Sequence, residues 1–264
     1  MKIQQIVMAV VSLFTVSIAR AQYYYAPPPG APPPPAYAPQ GPPPGPGFWG
    51  PSPSGQGPYF RFGVGPSFFQ NGNLKGYSFG SAPGLAGFTG PTGKVSYNVG
   101  VSGYGAGGFA FNKYVGLDFQ TGYTWASINS VQNYSQYNSS IGNIPFLGNL
   151  TLSLPIPHTN IIPYIGGGAG GSDSIFDAHN FFPTGNPGAE GINTIFGSED
   201  DVVFAWQAFA GVRFQLDPNI SIGVGYDFFA TGNPTFSYPP SPNLDVVFKG
   251  VRTHTIMFTL QSNF

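Results

Sequence analysis

The densest run of chemically active side chains is acidic. Asp173, Asp177 and Glu190 are followed by Glu199, Asp200 and Asp201, and no Lys or Arg falls between residues 172 and 200. Carboxylates are hard oxygen donors, so such a segment can hold a divalent cation weakly. The spacing fits no EF-hand or repeat, and a solvated surface loop has the same composition. A second set, Arg61, Asp118, Arg213 and Asp227, is scattered along the chain and sums to zero charge. The three histidines, His158, His179 and His254, have no matched carboxylate and hydroxyl that the sequence can place beside them. Asp200 and Asp201 are neighbours whose side chains diverge on a strand. The glycine-rich stretch 166–171 follows neither a P-loop nor a dinucleotide pattern. The chain has no cysteine, which excludes thiolate metal sites, disulfides and a Cys nucleophile. No catalytic site, metal site or cofactor is expected.

The whole chain is poor in charge. Charged residues are 7% of the 264, and the formal net charge is −1, against about 25% charged residues in soluble proteins. A cytosolic enzyme needs a more charged surface, and a nucleic-acid binder needs a basic footprint. Both classes are excluded.

Three regions follow from composition. Residues 1–21 read as a secretory signal: Lys2 is the positive start, Ile6 to Ile18 the apolar run, and Ala19-Arg20-Ala21 the small-residue cleavage site. The apolar run would rise only about 20 Å as a helix, too short to span a membrane. Residues 22–58 carry 15 of the 29 prolines and cannot enter a helix or a sheet interior. They read as a disordered spacer, or as a docking arm that meets the cell wall or a periplasmic partner through Tyr23–Tyr25, Tyr37, Phe48 and Trp49. Residues 59–264 hold the folded part.

That part alternates apolar and polar residues with period two, the signature of half-buried strands. Eight segments show it: Tyr59–Phe69, Lys94–Phe111, Tyr114–Ile128, Ile141–Leu154, Ile161–Gly171, Asp201–Leu216, Asn219–Phe229 and Val251–Phe264. Val95, Tyr97, Val99 and Val101 share one face of the second segment, and Phe209 breaks the pattern of the sixth. Connections alternate short (Asn112-Lys113, Pro155 to Asn160, Asp217-Pro218) and long (70–93, 129–140, 172–200, 230–250). This is the layout of a transmembrane β-barrel, with short turns at one end and long loops at the other. The polar face is Gly, Ser, Thr, Asn and Gln, which suits a filled lumen better than the water-facing coat of a soluble ligand-binding barrel.

Aromatic residues sort to two levels. Phe60, Phe62, Phe109, Phe111, Phe214 and Phe264 fall at the lower edge. Tyr97, Tyr123, Trp125, Phe146, Phe204, Trp206, Tyr226 and Phe228 fall at the upper edge, with Val64, Val101, Leu117, Leu150, Ile222 and Ile256 between. Two aromatic girdles around an aliphatic band match two membrane interfaces.

The stretches Thr159–Gly170 and Phe204–Val212 resemble the fifth and sixth strands of the small eight-stranded outer-membrane β-barrels, the OmpA/OmpX-like and opacity-protein-like "porin family". The end, His254–Phe264, is similar to their last strand. The resemblance implies an all-β antiparallel barrel of eight strands in the outer membrane of a diderm bacterium. It also implies that Phe264, with Phe258 and Leu260, is the signal for the barrel assembly machinery. Ser262 departs from the aromatic or apolar residue common at its position. Lipid A deacylases of similar architecture use a His-x-Ser pair near the chain end; here His254 is followed by Ile256, so that nucleophile is missing.

By phase, Arg61, Asp118, Arg213 and Asp227 point into the lumen. Eight strands leave room for little but side chains, so these charges are expected to pair as a neutral plug. The glycines Gly100, Gly116, Gly223 and Gly225 leave open a narrow ion path. A hairpin from Gly76–Phe79 and Leu85–Phe88 would give ten strands. The expected role is structural or surface-interacting, in envelope integrity or adhesion, with a small-solute porin as the alternative and outer-membrane lipid as the surrounding partner.

Overall fold

The computed structural model describes residues 56–79, 92–184, 195–238 and 244–264. The chain divides into two units, Met1–Gly45 and Pro46–Phe264, and all described residues belong to the second. The signal segment, nearly all of the Pro-rich arm, Glu190 and Leu85–Phe88 lie outside the described residues.

Among the described residues thirteen strands run in chain order: β1 (Gly57–Phe69), β2 (Gly72–Phe79), β3 (Gly93–Tyr97), β4 (Gly100–Ala110), β5 (Val115–Val131), β6 (Tyr134–Ser135), β7 (Ser140–Ser153), β8 (Ile161–Pro183), β9 (Ile195–Gln215), β10 (Ile220–Thr231), β11 (Thr235–Tyr238), β12 (Leu244–Phe248) and β13 (Arg252–Asn263). Eight of them close a ring. β1 pairs with β4, then β5, β7, β8, β9, β10 and β13 follow, and β13 returns to β1, every pair antiparallel. The last strand lies along the first from Tyr59↔Asn263 to Phe69↔Thr253.

The short turns are closed by their own side chains. Asn112 Oδ1 accepts from the backbone N–H of Tyr114 and Val115 at 2.8 and 2.9 Å. Asp217 Oδ1 accepts from Asn219 and Ile220, both at 2.7 Å. In the third turn, Thr159 donates to the Ile156 carbonyl at 3.0 Å, and His158 takes a left-handed φ of 62°. Asx and ST turns of this kind satisfy backbone groups where the ladder ends.

The long connections are not loops throughout, as their composition suggests. β5, β8 and β9 continue far above the ring, and β2, β3, β11 and β12 join β5 in a sheet of order β11-β12-β2-β3-β5. β6 pairs with the top of β8. The Gly76–Phe79 segment is therefore a strand, but it belongs to this extension, and the ring keeps eight strands. The extension has an apolar core containing Leu74, Val95, Ile128, Val131, Tyr134, Phe176, Phe181, Phe236 and Phe248. Phe176 is at its centre, with the rings of Phe248, Phe181, Phe236 and Tyr238 at 4.9, 5.4, 5.5 and 6.2 Å.

Polarity inverts between ring and extension. Within the ring, outward residues are apolar: Val64, Leu117, Leu150, Ile165, Ile222 and Phe258 are all exposed. Inward ones are Ser, Thr, Asn and Gln, as at Ser102, Thr124, Asn143, Asn149 and Thr255. Above the ring the inside is apolar and the outside polar. β8 shows both regimes on one strand: Ser172 and Ser174 face in below Phe176 and Ala178, while Ile165 and Ala169 face out below Asp173 and Asp177.

Contrary to its phase, the second segment does not keep one outward face throughout. Val95 and Tyr97 do not share the lipid-facing side with Val101. The second segment breaks at Asn98-Val99 into β3 and β4, and the pairing of β3 to β5 shifts register at Ser96/Tyr97. Val95 is fully buried in the extension core, and Tyr97 packs 5.4 Å from Phe69. The other outward aromatics named above keep their side.

Phe176→Ala should cost the extension about 3–5 kcal/mol. Limited proteolysis should then cut above the ring in the variant and not in the parent, while the heat-dependent gel mobility that reports the closed ring is retained.

Candidate functional site: the lumen plug and its rim

Arg61 on β1 and Asp118 on β5 form an ion pair at 2.8 Å, with side chains 4% and 0% exposed. They are separated by β4, whose small residues Ala106 and Gly108 lie between them in register. Asp118 also accepts from the Tyr59 hydroxyl at 2.7 Å and from the Asn149 amide at 2.8 Å. Asn149, Gln120 and Gln207 then bond among themselves: Gln207 Nε2 donates to Asn149 Oδ1 at 2.7 Å and to Gln120 Oε1 at 2.9 Å. The network thus ties β1, β5, β7 and β9 across the lumen.

Arg213 is held differently. It donates to Gln261 Oε1 and to the Ser153 hydroxyl, and its guanidinium lies 5.1 Å from the Tyr164 ring centre. Asp227 points inward on β10, in register with Phe209 and Thr255. Among the described residues, the lumen's only ion pair is Arg61–Asp118. The expected four-charge neutralisation is therefore corrected. Arg213 is met by neutral acceptors and an aromatic face, and Asp227 has no ion pair, because β9 and β10 put the two in different layers: Arg213 is in register with Gly223, four residues before Asp227.

The lumen glycines are seats for rings. A Cβ on Gly63 would lie 2.4 Å from the Tyr104 ring, one on Gly166 2.4 Å from the Phe209 ring, and one on Gly225 2.5 Å from the Tyr164 hydroxyl. The Arg61 guanidinium lies 5.3 and 5.7 Å from the Phe209 and Tyr104 ring centres. Phe209, which breaks the outward pattern, is thus an inward wall of the plug. Higher up, Ser67–Thr255 and Ser102–Thr124 close hydroxyl pairs at 2.8 Å, and the Ser174 hydroxyl donates to Asn143 at 2.8 Å. Tyr59, Tyr104, Tyr164 and Phe209 were not foreseen as lumen residues; the available signal was large rings on the polar phase opposite glycine runs.

The described acidic residues, Asp173, Asp177, Glu199, Asp200 and Asp201, lie on the β8–β9 ribbon, not in a loop. Asp173 and Asp177 face outward on β8, and Asp200 faces outward on β9 one register step away, in line with Ile175. Asp201 instead accepts from the Thr235 backbone at 2.8 Å, and Glu199 is half-buried. No three acidic or histidine side chains converge on a metal site among the described residues. Asp177 meets His179 at 3.3 Å. The nearby Ser139 hydroxyl bonds the backbone of His179, not its ring, so no nucleophile is lined up. His254 faces outward and bonds the Tyr226 hydroxyl. At the chain end, Phe258 faces outward, 58% exposed. The Phe264 N–H donates to the Pro58 carbonyl at 3.0 Å, and its ring packs edge-on to Phe60 at 5.8 Å.

Two predictions follow from these geometries. Arg61→Met leaves Asp118 buried and unpaired, and should cost about 3–5 kcal/mol in urea unfolding from detergent micelles; adding Asp118→Asn should recover most of it. Above the upper aromatic edge, burial and then the charges of Asp200 and Asp201 hold the Asp173 carboxyl above its ordinary value. The folded chain therefore binds that proton more tightly than the unfolded one, and stability falls as pH rises from the ordinary carboxylate value through the raised one. Asp173→Asn should melt higher than the parent at neutral pH and no higher below the ordinary carboxylate range, as read by gel mobility over a pH series.

No family model and no curated protein sequence matches the chain. Solved structures do. The chain is similar to the outer membrane protein OprG from Pseudomonas aeruginosa, with 12% identity, 80% of this chain and 97% of that one covered, and a TM-score of 0.50. It is similar to Neisserial surface protein A (13% identity, 78% and 97% covered, TM-score 0.43) and to the outer membrane protease OmpT from Escherichia coli (11% identity, 78% and 96% covered, TM-score 0.41). At these identities the likeness concerns fold and not activity. With its ring closed, its outer band apolar and its interior polar, the chain folds as a small eight-stranded outer-membrane β-barrel.

Proposed function

We propose that the chain is a closed barrel of the bacterial outer membrane with a structural or surface-interacting role, in envelope integrity or adhesion. The observation that carries this reading is the plug: Arg61–Asp118 with its amide neighbours, packed among Tyr104, Tyr164 and Phe209. In an eight-stranded ring these side chains occupy the space a solute would need. The extension above the ring, with an apolar core of its own, presents a built surface outside the membrane.

The reading assigns the chain no catalysis. The His179 ring meets Asp177, and the His254 ring bonds the Tyr226 hydroxyl on the lipid-facing side of the ring. Phe258, Leu260 and Phe264 serve as the signal for the assembly machinery, and the Pro-rich arm spaces the barrel from a cell-wall or periplasmic partner. A narrow ion path is the second reading, and Asp227, inward-facing without an ion pair, is the observation that favours it.

Conductance across a planar bilayer separates the two. The refolded chain should be electrically silent, and Tyr104→Ala/Tyr164→Ala/Phe209→Ala should open steady, salt-dependent channels. Steady channels from the parent chain would replace the closed-barrel reading with the porin one.

A further inference from the structure

Charge on the outer face of the extension is sorted by side. Asp173 and Asp177 on β8 and Asp200 on β9 share one stretch of that face, with Asp200 in register with Ile175 midway between the first two. Asp200 is exposed, and Asp173 and Asp177 are half-buried. No Lys or Arg falls between residues 172 and 201. The cations gather elsewhere. Lys75, Lys94, Lys249 and Arg252 are all exposed at or above the top of the ring. Asn73 stands between two of them: its carbonyl accepts from the Lys249 backbone N–H at 2.8 Å, and Lys94 is directly opposite it on β3. None of the four is ion-paired among the described residues. Asp245 on β12 accepts instead from the Ser237 hydroxyl at 2.5 Å.

The two sides face away from each other. Between β8 and β2 stand β7, β5 and β3 in one direction. In the other stand β9, β11 and β12, with the Thr235 N–H of β11 held by Asp201 of β9. The two charged bands also begin at one level. Asp173 is the next outward residue above Gly171, which is in register with Phe204 of the upper aromatic edge. Arg252 is the next outward residue above His254, which is in register with Phe228 of the same edge. Both bands then rise: Asp200 is four residues above Phe204, and Asn73 is five above Phe68, the other register partner of His254.

We propose that the acidic face of one copy docks against the basic face of a second copy of this chain. Charge complementarity at a shared height selects this occupant. Insertion in the bilayer fixes the direction and depth of every barrel, so neighbouring copies present opposite charges at one level without tilting. Two like faces repel, which disfavours a symmetric pair. A contact between different patches leaves a free face at each end, so it extends into rows or closes into rings. Exposed ion pairs are individually weak and screened by salt. Confinement to a membrane raises the effective concentration of partners and offsets that weakness. The proposal deepens the surface-interacting reading by naming a partner, and rests on it.

The chain has no cysteine, so Lys113→Cys in a lower turn takes a single dye. Full-chain copies carrying donor or acceptor are reconstituted together in vesicles of zwitterionic phosphatidylcholine. Energy transfer above the random-mixing level should appear at low salt and fall as salt rises. Lys75→Glu/Lys94→Glu/Lys249→Glu makes both faces acidic, and Asp177→Lys/Asp200→Lys makes both basic. Each variant alone should lose transfer about tenfold, and a mixture of the two should recover it. The milder Lys94→Gln and Asp200→Asn should each weaken transfer about threefold, and Lys94→Arg should retain it. A mixture that does not recover transfer, in protein whose gel mobility shows a folded ring, overturns the proposal. So does transfer indifferent to salt and to charge reversal, or transfer that needs added lipid A. A conducting barrel that still pairs acidic face to basic face would overturn the closed-barrel reading alone.

Discussion

A strand that crosses hydrocarbon has no water to satisfy its N–H and C=O groups, so every one of them needs a neighbouring strand. That requirement makes the pairing of β1 with β13 the constraint on which the rest depends. Tyr59 through Phe69 lie along Asn263 through Thr253, and this seam removes the two edges that an open eight-stranded sheet would expose. Once it is closed, the ring has one interior of fixed width. The polar phase of each strand is then confined with the polar phases of seven others.

That confinement explains the composition of the interior. A small ring cannot hold eight full-sized side chains in each layer, so rings and glycines alternate: Tyr104 over Gly63, Phe209 over Gly166, Tyr164 over Gly225. The charged pair is admitted on the same terms. Arg61 and Asp118 are tolerable without water because Tyr59, Asn149 and the flanking aromatic faces supply the hydrogen bonds and polarisable contacts that solvent would. The high glycine count, which reads as permissive in the sequence, is a packing requirement in the ring.

Much of this was legible beforehand because period two is a strong signal where one face meets lipid. The inward placement of Arg61, Asp118, Arg213 and Asp227 follows from phase alone. Their partners do not, since phase says which way a side chain points and not how neighbouring strands are staggered; stagger puts Arg213 beside Gln261 rather than a carboxylate. The extension was missed for a related reason. Its strands keep the alternation of the ring, but Phe176 and Ala178 take the phase held by Ser172 and Ser174. A pattern that reverses polarity while keeping its period reads as the end of a strand. Val95 and Tyr97 suffered the same misreading, with a break at Asn98-Val99 hiding the change of sheet.

The reversal along β8 also acts as a depth gauge. Sliding the barrel outward by one residue pair would lift the side chains at the level of Phe204 into water; sliding it inward would bring Asp173 and then Asp200 into hydrocarbon. Strand pairing is indifferent to such motion, because every backbone bond moves with the barrel. The vertical position is therefore set by side chains alone, at the level between Phe204 and Asp173. A bilayer too thick for that level must thin around the protein instead of drawing it in.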